Sequence, residues 1–352
     1  MSARQTGSPS GDAREGPAWV RLPDHALLDL RLCDLDLRIQ GTALEARIGR
    51  LYDELARAGL RFRPYVWLST SWFTPDGHTG FAVPFYLAHP RLAHLERRQM
   101  YAVEGGRLET CLKLLRHETG HALDNAYRLH RRKRWREQFG RASEPYRSRY
   151  VPDPHSKAHV INLAHWYAQS HPVEDFAETF AVWLRPGERW RAEYAHWPEA
   201  LGKLWFVDAL MEEIAGQPPS VRTRARPEAL ASERMTLREY YRRKQAFYGE
   251  LDLSDFDADL RQLFSDDPTF AFRRSAAAVL RDRRRELRTR VARFTGQHAF
   301  VVDEVLQGMI QRARELGLRV CYSERETLED AAVVLTTHTL RHRHGAVREY
   351  QR

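Results

Sequence analysis

His117-Glu118-Thr119-Gly120-His121 decides how the rest of this chain is read, because it sets two imidazoles and a carboxylate within one helical turn. Residues at i and i+4 share a helix face, so His117 and His121 can grip one metal ion from the same side, with Glu118 beside it to take a proton from water. With 16 His in 352 residues, H-E-x-x-H arises by accident in roughly one such chain in twenty. The flanking residues must therefore carry the argument. From 108 to 129, Leu108, Cys111, Leu112, Leu115, Ala122, Ala126 and Leu129 recur at helical spacing as one apolar stripe, and His117, His121, Asp124 and Arg128 fall on the opposite face. A helix with a buried back and two metal-capable imidazoles on its front is what a zinc site requires.

Catalytic zinc takes three protein ligands and keeps one position open. The candidates for the third lie in 166–178. Pro172 suits a first helical position with Ser170 or His171 as cap, and Val173, Phe176, Ala177, Phe180 and Leu184 then form the buried stripe of a second helix. Glu174 and Glu178 run along its flank, four apart, a mildly repulsive pair unless a cation or hydrogen-bond partner sits nearby. Spacing alone leaves either glutamate as the ligand. His171 reads as a cap, Asp175 as solvated or paired with an arginine, and Tyr167 as a cleft residue or a half-buried interface aromatic.

The stretches H-E-T-G-H-A-L-D-N-A-Y (117–127), W-Y-A-Q-S-H-P-V-E-D-F-A-E-T-F-A-V-W-L (166–184) and G-F-A-V-P-F-Y-L-A-H-P (80–90) closely resemble the bacterial family called putative zinc-binding metallopeptidases, over about residues 27–211. The resemblance implies an α+β fold: a zincin-like metallopeptidase domain with a small sheet over an active-site helix. A more distant resemblance is to the catalytic domain of anthrax lethal factor, which has H-E-x-G-H-A-x-D and then a Tyr seven residues before the ligand Glu of E-x-F-A-E. It implies Glu174 as third zinc ligand, Tyr167 with its hydroxyl at the reacting carbonyl, and Glu178 orienting a ligand histidine through its free ring N–H. Asp124, one turn after His121, either supports a ligand in the same way or pairs with Arg128. The expected activity is a gluzincin-like zinc-dependent peptidase with one Zn2+ per chain, Glu118 as general base, and a peptide or protein as substrate.

Zincins run an extended substrate along a sheet edge above the active-site helix. Residues 61–74 are rich in aromatic and β-branched side chains and read as a strand, Pro75-Asp76-Gly77 as a turn, and 80–86 as a second strand that Pro84 pushes to an edge. That second strand is the expected substrate edge, against a plain structural hairpin.

Composition bounds the remainder. Residues 1–18 read as a disordered tail with no apolar leader, 19–215 as the peptidase domain, 216–235 as a Gly/Pro-containing and basic linker, and 236–352 as a mainly helical accessory region with one β-like piece at 319–322. No run of 18 apolar residues exists, so no membrane partner is expected. Three widely spaced cysteines fit a reducing cytoplasm. His338, His342 and His344 read as a solvated Arg-rich tail. The net charge of +9, with Arg clusters at 131–134 and 281–293, raises nucleic acid as a partner; acidic residues interrupt the runs, so solvated helix faces are the simpler expectation. Two alternatives stand beside the peptidase: a protease tethered to DNA by these arginines, and a zinc-stabilised scaffold without turnover. Intact Glu118 weighs against the scaffold. Oligomeric state is not legible.

Overall fold

Two helices that cross at a glycine set the frame of the molecule. In the computed structural model, which describes residues 17–146, 152–246 and 253–342, the motif lies in a helix from Leu108 to Tyr127 and the Glu174 stretch in a helix from Pro172 to Trp183. A Cβ added at Gly120 would lie 2.9 Å from the Ala177 Cα, so only glycine lets the two backbones come this close. The second helix starts as its sequence dictates, with Pro172 at the first turn and the His171 ring accepting from the Val173 N–H. Behind the motif helix packs the Ala43–Arg57 helix, whose Thr42 cap accepts from the Glu45 N–H while the Glu45 carboxylate accepts from Gly41 N–H. A buried bidentate pair, Arg116 Nε and Nη2 on Glu54 at 2.8 and 2.9 Å, locks these helices together.

The front of the motif helix is mostly buried. His117, Glu118 and Asp124 are nearly as buried as its apolar back, against Glu178, Thr74 and His130 respectively, whereas Leu108 of the expected stripe is exposed. Polar groups on this face are thus largely removed from bulk water, so their mutual geometry matters more.

The sheet is neither the expected substrate edge nor the hairpin set against it. β1 (Tyr65–Ser69) and β2 (Gly80–Pro84) pair in parallel, Tyr65 opposite Gly80. A Cβ at Gly80 would meet the Tyr65 carbonyl oxygen at 2.2 Å, so the register depends on this glycine. The 70–79 connection loops back so that Phe73 O accepts from Ala82 N–H at 2.9 Å. β2 is therefore fully buried between β1 and the Phe73 segment and is no substrate edge; the segment around Trp72–Gly77 fronts the cavity instead.

The stretch expected as a linker is stitched to the sheet. Tyr65, Trp67, Ser69 and Thr79 donate from their side chains to the carbonyls of Ala225, Pro227, Glu228 and Thr223. The following helix, Leu237–Ala246, packs Leu237, Tyr240 and Tyr241 into the first core. A second core begins at Phe256 and is built by the helices Asp257–Leu263, Ala276–Asp282, Arg284–Thr295, Ala299–Glu315 and Glu324–His342, with β3 (Phe264–Ser265) antiparallel to β4 (Arg319–Val320), the β-like piece seen in the sequence. His338 is no solvated tail: it is buried, its Nε2 2.7 Å from Asp259 Oδ2 and its ring on Phe256. His344 and most of the 1–18 segment lie outside the described residues. No helix among the described residues is long and apolar enough to cross a membrane. The described residues are mostly helical with a small sheet, compatible with an α+β metallopeptidase domain.

Candidate metal centre

The crossing at Gly120 brings three donor atoms together. His121 Nε2 lies 3.1 Å from His117 Nε2, and Glu174 Oε2 lies 3.2 Å from each. Zinc bonds of 2.0–2.2 Å in tetrahedral geometry separate neighbouring ligand atoms by about 3.3 Å. The triangle is thus the size of one face of a zinc tetrahedron, and His117, His121 and Glu174 are the group that could hold a metal ion among the described residues.

Two of the three vertices are held from behind, His117 and Glu174. The other ring nitrogen of His117, Nδ1, sits 2.9 Å from Glu178 Oε1, and Glu178 is held in turn by Asn162 Nδ2 and the Leu163 N–H. A carboxylate on the far nitrogen fixes the ring and its tautomer, the usual support of a metal-binding histidine. With both oxygens so occupied, Glu178 faces away from the triangle. Glu174 turns its second oxygen to the Tyr146 hydroxyl, which donates at 2.7 Å, and Tyr146 stacks on His171 at 3.9 Å. His171 meets the Glu144 carbonyl at 2.7 Å besides capping its helix.

The electrostatics follow from burial. Burial opposes charge on His117, but hydrogen bonds and charge from Glu174 and Glu178 override it and hold its pKa well above the imidazole range. Burial likewise opposes the Glu174 carboxylate, and the two imidazoles overcome it and drive its pKa down. Burial dominates at Glu118 and pushes its pKa up, while the nearby histidines and the Thr74 hydroxyl, donating at 2.8 Å, pull the other way. Behind the centre, Asp175 is pushed up to about 7 by burial although Lys203 Nζ lies 2.6 Å away.

A cavity of about 930 Å³ opens on the triangle, lined by Trp72–Gly77 on one side, His117, Glu118, His121 and Glu174 at its floor, and Asp124, Arg128, His130, Arg131, Tyr146 and Tyr167 around them. Tyr167, on a 3-10 turn from Ala164 to Gln169, sets its ring 5.7 Å from that of His117. The Asp124 carboxylate accepts from the His130 backbone N–H at 2.7 Å and meets its ring at 3.0 Å, so its partner is His130 and not Arg128. Asn125 pins the facing turn by donating to the carbonyls of Pro75 and His78.

Thr74, Tyr146 and His130 are the site residues that sequence reasoning missed. Thr74 and Tyr146 are 44 and 28 residues from their partners in sequence, beyond the reach of any periodicity. His130 carried one local signal, a position just past the helix end.

No curated protein and no solved structure matches the chain, so the likeness to the lethal-factor catalytic domain rests on its motif residues alone. Residues 31–194, the span that carries both crossing helices and the sheet, match the family described as “Putative zinc-binding metallo-peptidase”, the same family whose motifs the sequence resembles.

Proposed function

We propose that the chain is a zinc-dependent, gluzincin-like peptidase with a zincin-like domain, in which His117, His121 and Glu174 hold one Zn2+ and Glu118 is the general base. The observation that carries this reading is the 3.1–3.2 Å triangle of donor atoms with a carboxylate next to it in sequence and cleft. Zinc bound there would supply Lewis-acid polarisation of a peptide carbonyl and lower the pKa of a water. Glu118 would take a proton from that water and hand it to the departing amine. Thr74 holds one Glu118 oxygen, which leaves the other to face the cleft. Glu178 fixes the His117 ring, and Tyr146 fixes the rotation of the Glu174 carboxylate. Tyr167, beside His117 in the cavity, would donate its hydroxyl to the developing oxyanion, a contact of a kind whose loss typically costs about 2.7–4 kcal/mol in the barrier. The extended substrate would lie along Trp72–Gly77, which Asn125 and Thr74 tie to the motif helix.

Incubation of the protein with a mixed peptide library, read by mass spectrometry, tests the reading. Cleavage that chelation stops, zinc restores and Glu118→Gln abolishes is the expected result. Cleavage unaffected by Glu118→Gln, or by chelation, would overturn it.

A further inference from the structure

Just past the end of the motif helix, one wall of the cavity carries three basic side chains in four residues: Arg128, His130 and Arg131. Leu129 between them is fully buried and anchors the turn in the core. The Asp124 carboxylate fixes the turn again through the His130 backbone and ring, and Arg136 Nη1 donates to the Arg131 carbonyl at 2.9 Å. Arg128 itself holds a left-handed backbone, φ 51 and ψ 43. Helices commonly end in that conformation, but on glycine or asparagine; for arginine it costs about 1–2 kcal/mol. Such strain at a cavity wall calls for a reason.

Neither Arg128 nor Arg131 has an acidic partner among the described residues, whereas Arg116 has Glu54 and Arg132 has Glu213. The carboxylates of the cavity are otherwise committed. Asp124 is taken by His130, Glu174 faces the histidines and Tyr146, and Glu118 is held by Thr74. Asp76, exposed on the facing turn, is the one remaining carboxylate in the lining, against two guanidiniums. A rigid turn thus presents an excess of positive charge, as planar forks that match carboxylate geometry, inside the cleft.

We propose that Arg128 and Arg131 form a carboxylate-binding subsite, so that the preferred substrates are peptides that present an acidic side chain or a free C-terminal carboxylate to this wall. The proposal rests on the peptidase reading for the word substrate, but the subsite is a property of the turn and is tested without turnover.

The test is equilibrium binding of fluorescein-labelled hexapeptide pools to the full chain carrying Glu118→Gln, followed by fluorescence anisotropy. One pair of pools differs in Asp/Glu against Asn/Gln, the other in a free against an amidated C-terminus. At least one carboxylate pool is expected to bind tenfold or more tighter than its amide counterpart, more weakly as salt rises. Whichever pair shows the preference identifies the source of the carboxylate. In the Arg128→Ala/Arg131→Ala variant the preference is expected to fall below threefold; both side chains are exposed, and an unchanged melting temperature verifies that the fold is kept. Equal binding of acid and amide pools, no binding of either, or a preference that survives the double substitution overturns the proposal. If wild-type protein loaded with zinc cleaves neither pool while the carboxylate preference holds, the peptidase reading fails and the subsite stands.

Discussion

Glu174 and Asp303 are both carboxylates buried almost completely, and they are solved in opposite ways. Asp303, in the second core, is clamped by Arg284 and Arg288, with Gln307 donating to it as well; Arg288 Nη1 and Arg284 Nε stand 2.8 Å from its Oδ1. Two guanidiniums that never lose their charge overcome the burial that opposes its ionisation. Glu174 has instead two imidazoles, whose charge is optional, and a tyrosine hydroxyl. Three lone-pair atoms that crowd to 3.1–3.2 Å repel one another unless protons or a cation lie between them. One carboxylate is finished within the chain. The other sits among groups that could hold a cation, the arrangement on which the proposed zinc site rests.

The comparison breaks or sharpens under substitution. If Glu118 is the base and not a ligand, as proposed, Glu118→Gln is expected to lower peptide hydrolysis about 10²–10⁴-fold with zinc content unchanged, checked by rate and elemental analysis on the same preparation. Saturating zinc is expected to stabilise the wild type by about 4 kcal/mol at a thousandfold excess over Kd, measured as a shift in urea midpoint, and to leave Glu174→Gln unmoved. Asp303→Asn, by contrast, is expected to destabilise by roughly 3 kcal/mol with or without zinc, the low end for breaking a buried pair because both arginines reach water. Gly120→Val should push the crossing helices apart, costing about 1–3 kcal/mol by overpacking and weakening zinc affinity in a titration; normal affinity there would show that the glycine does not set the triangle.

The smallest effect is in pH. The hydrogen bond its ring donates to Asp124 raises the pKa of His130 against burial, which lowers it. A raised folded pKa means that the pair's contribution is fully present below the ordinary imidazole pKa of about 6.5 and is lost as pH rises through the folded value. An NMR titration should place His130 above 6.5 in the wild type and lower in Asp124→Asn.

Much of the centre was legible because its parts are local. H-E-x-x-H, the His171-Pro172 start and the Glu174/Glu178 spacing are periodic facts about single helices, and a crossing at Gly120 needs only one more contact. What pairs across the fold was not legible. A turn at Pro75-Asp76-Gly77 suggests a hairpin, yet the clearance that Gly80 gives Tyr65 makes a parallel pair, and no local pattern encodes that. Tyr146 and Thr74 act on residues far along the chain, and an arginine-rich stretch gives no sign of which guanidinium is already paired. His338 looked solvated because its neighbours are basic; Asp259, which it meets, lies 79 residues away.

Zinc content by elemental analysis of wild type, Glu174→Ala and Glu178→Ala, purified without chelators, tests the central claim most directly. About one zinc per chain in the wild type, lost with Glu174→Ala and retained, though more weakly, with Glu178→Ala, is the predicted result. A wild type without zinc, or zinc undiminished by Glu174→Ala, would contradict the account.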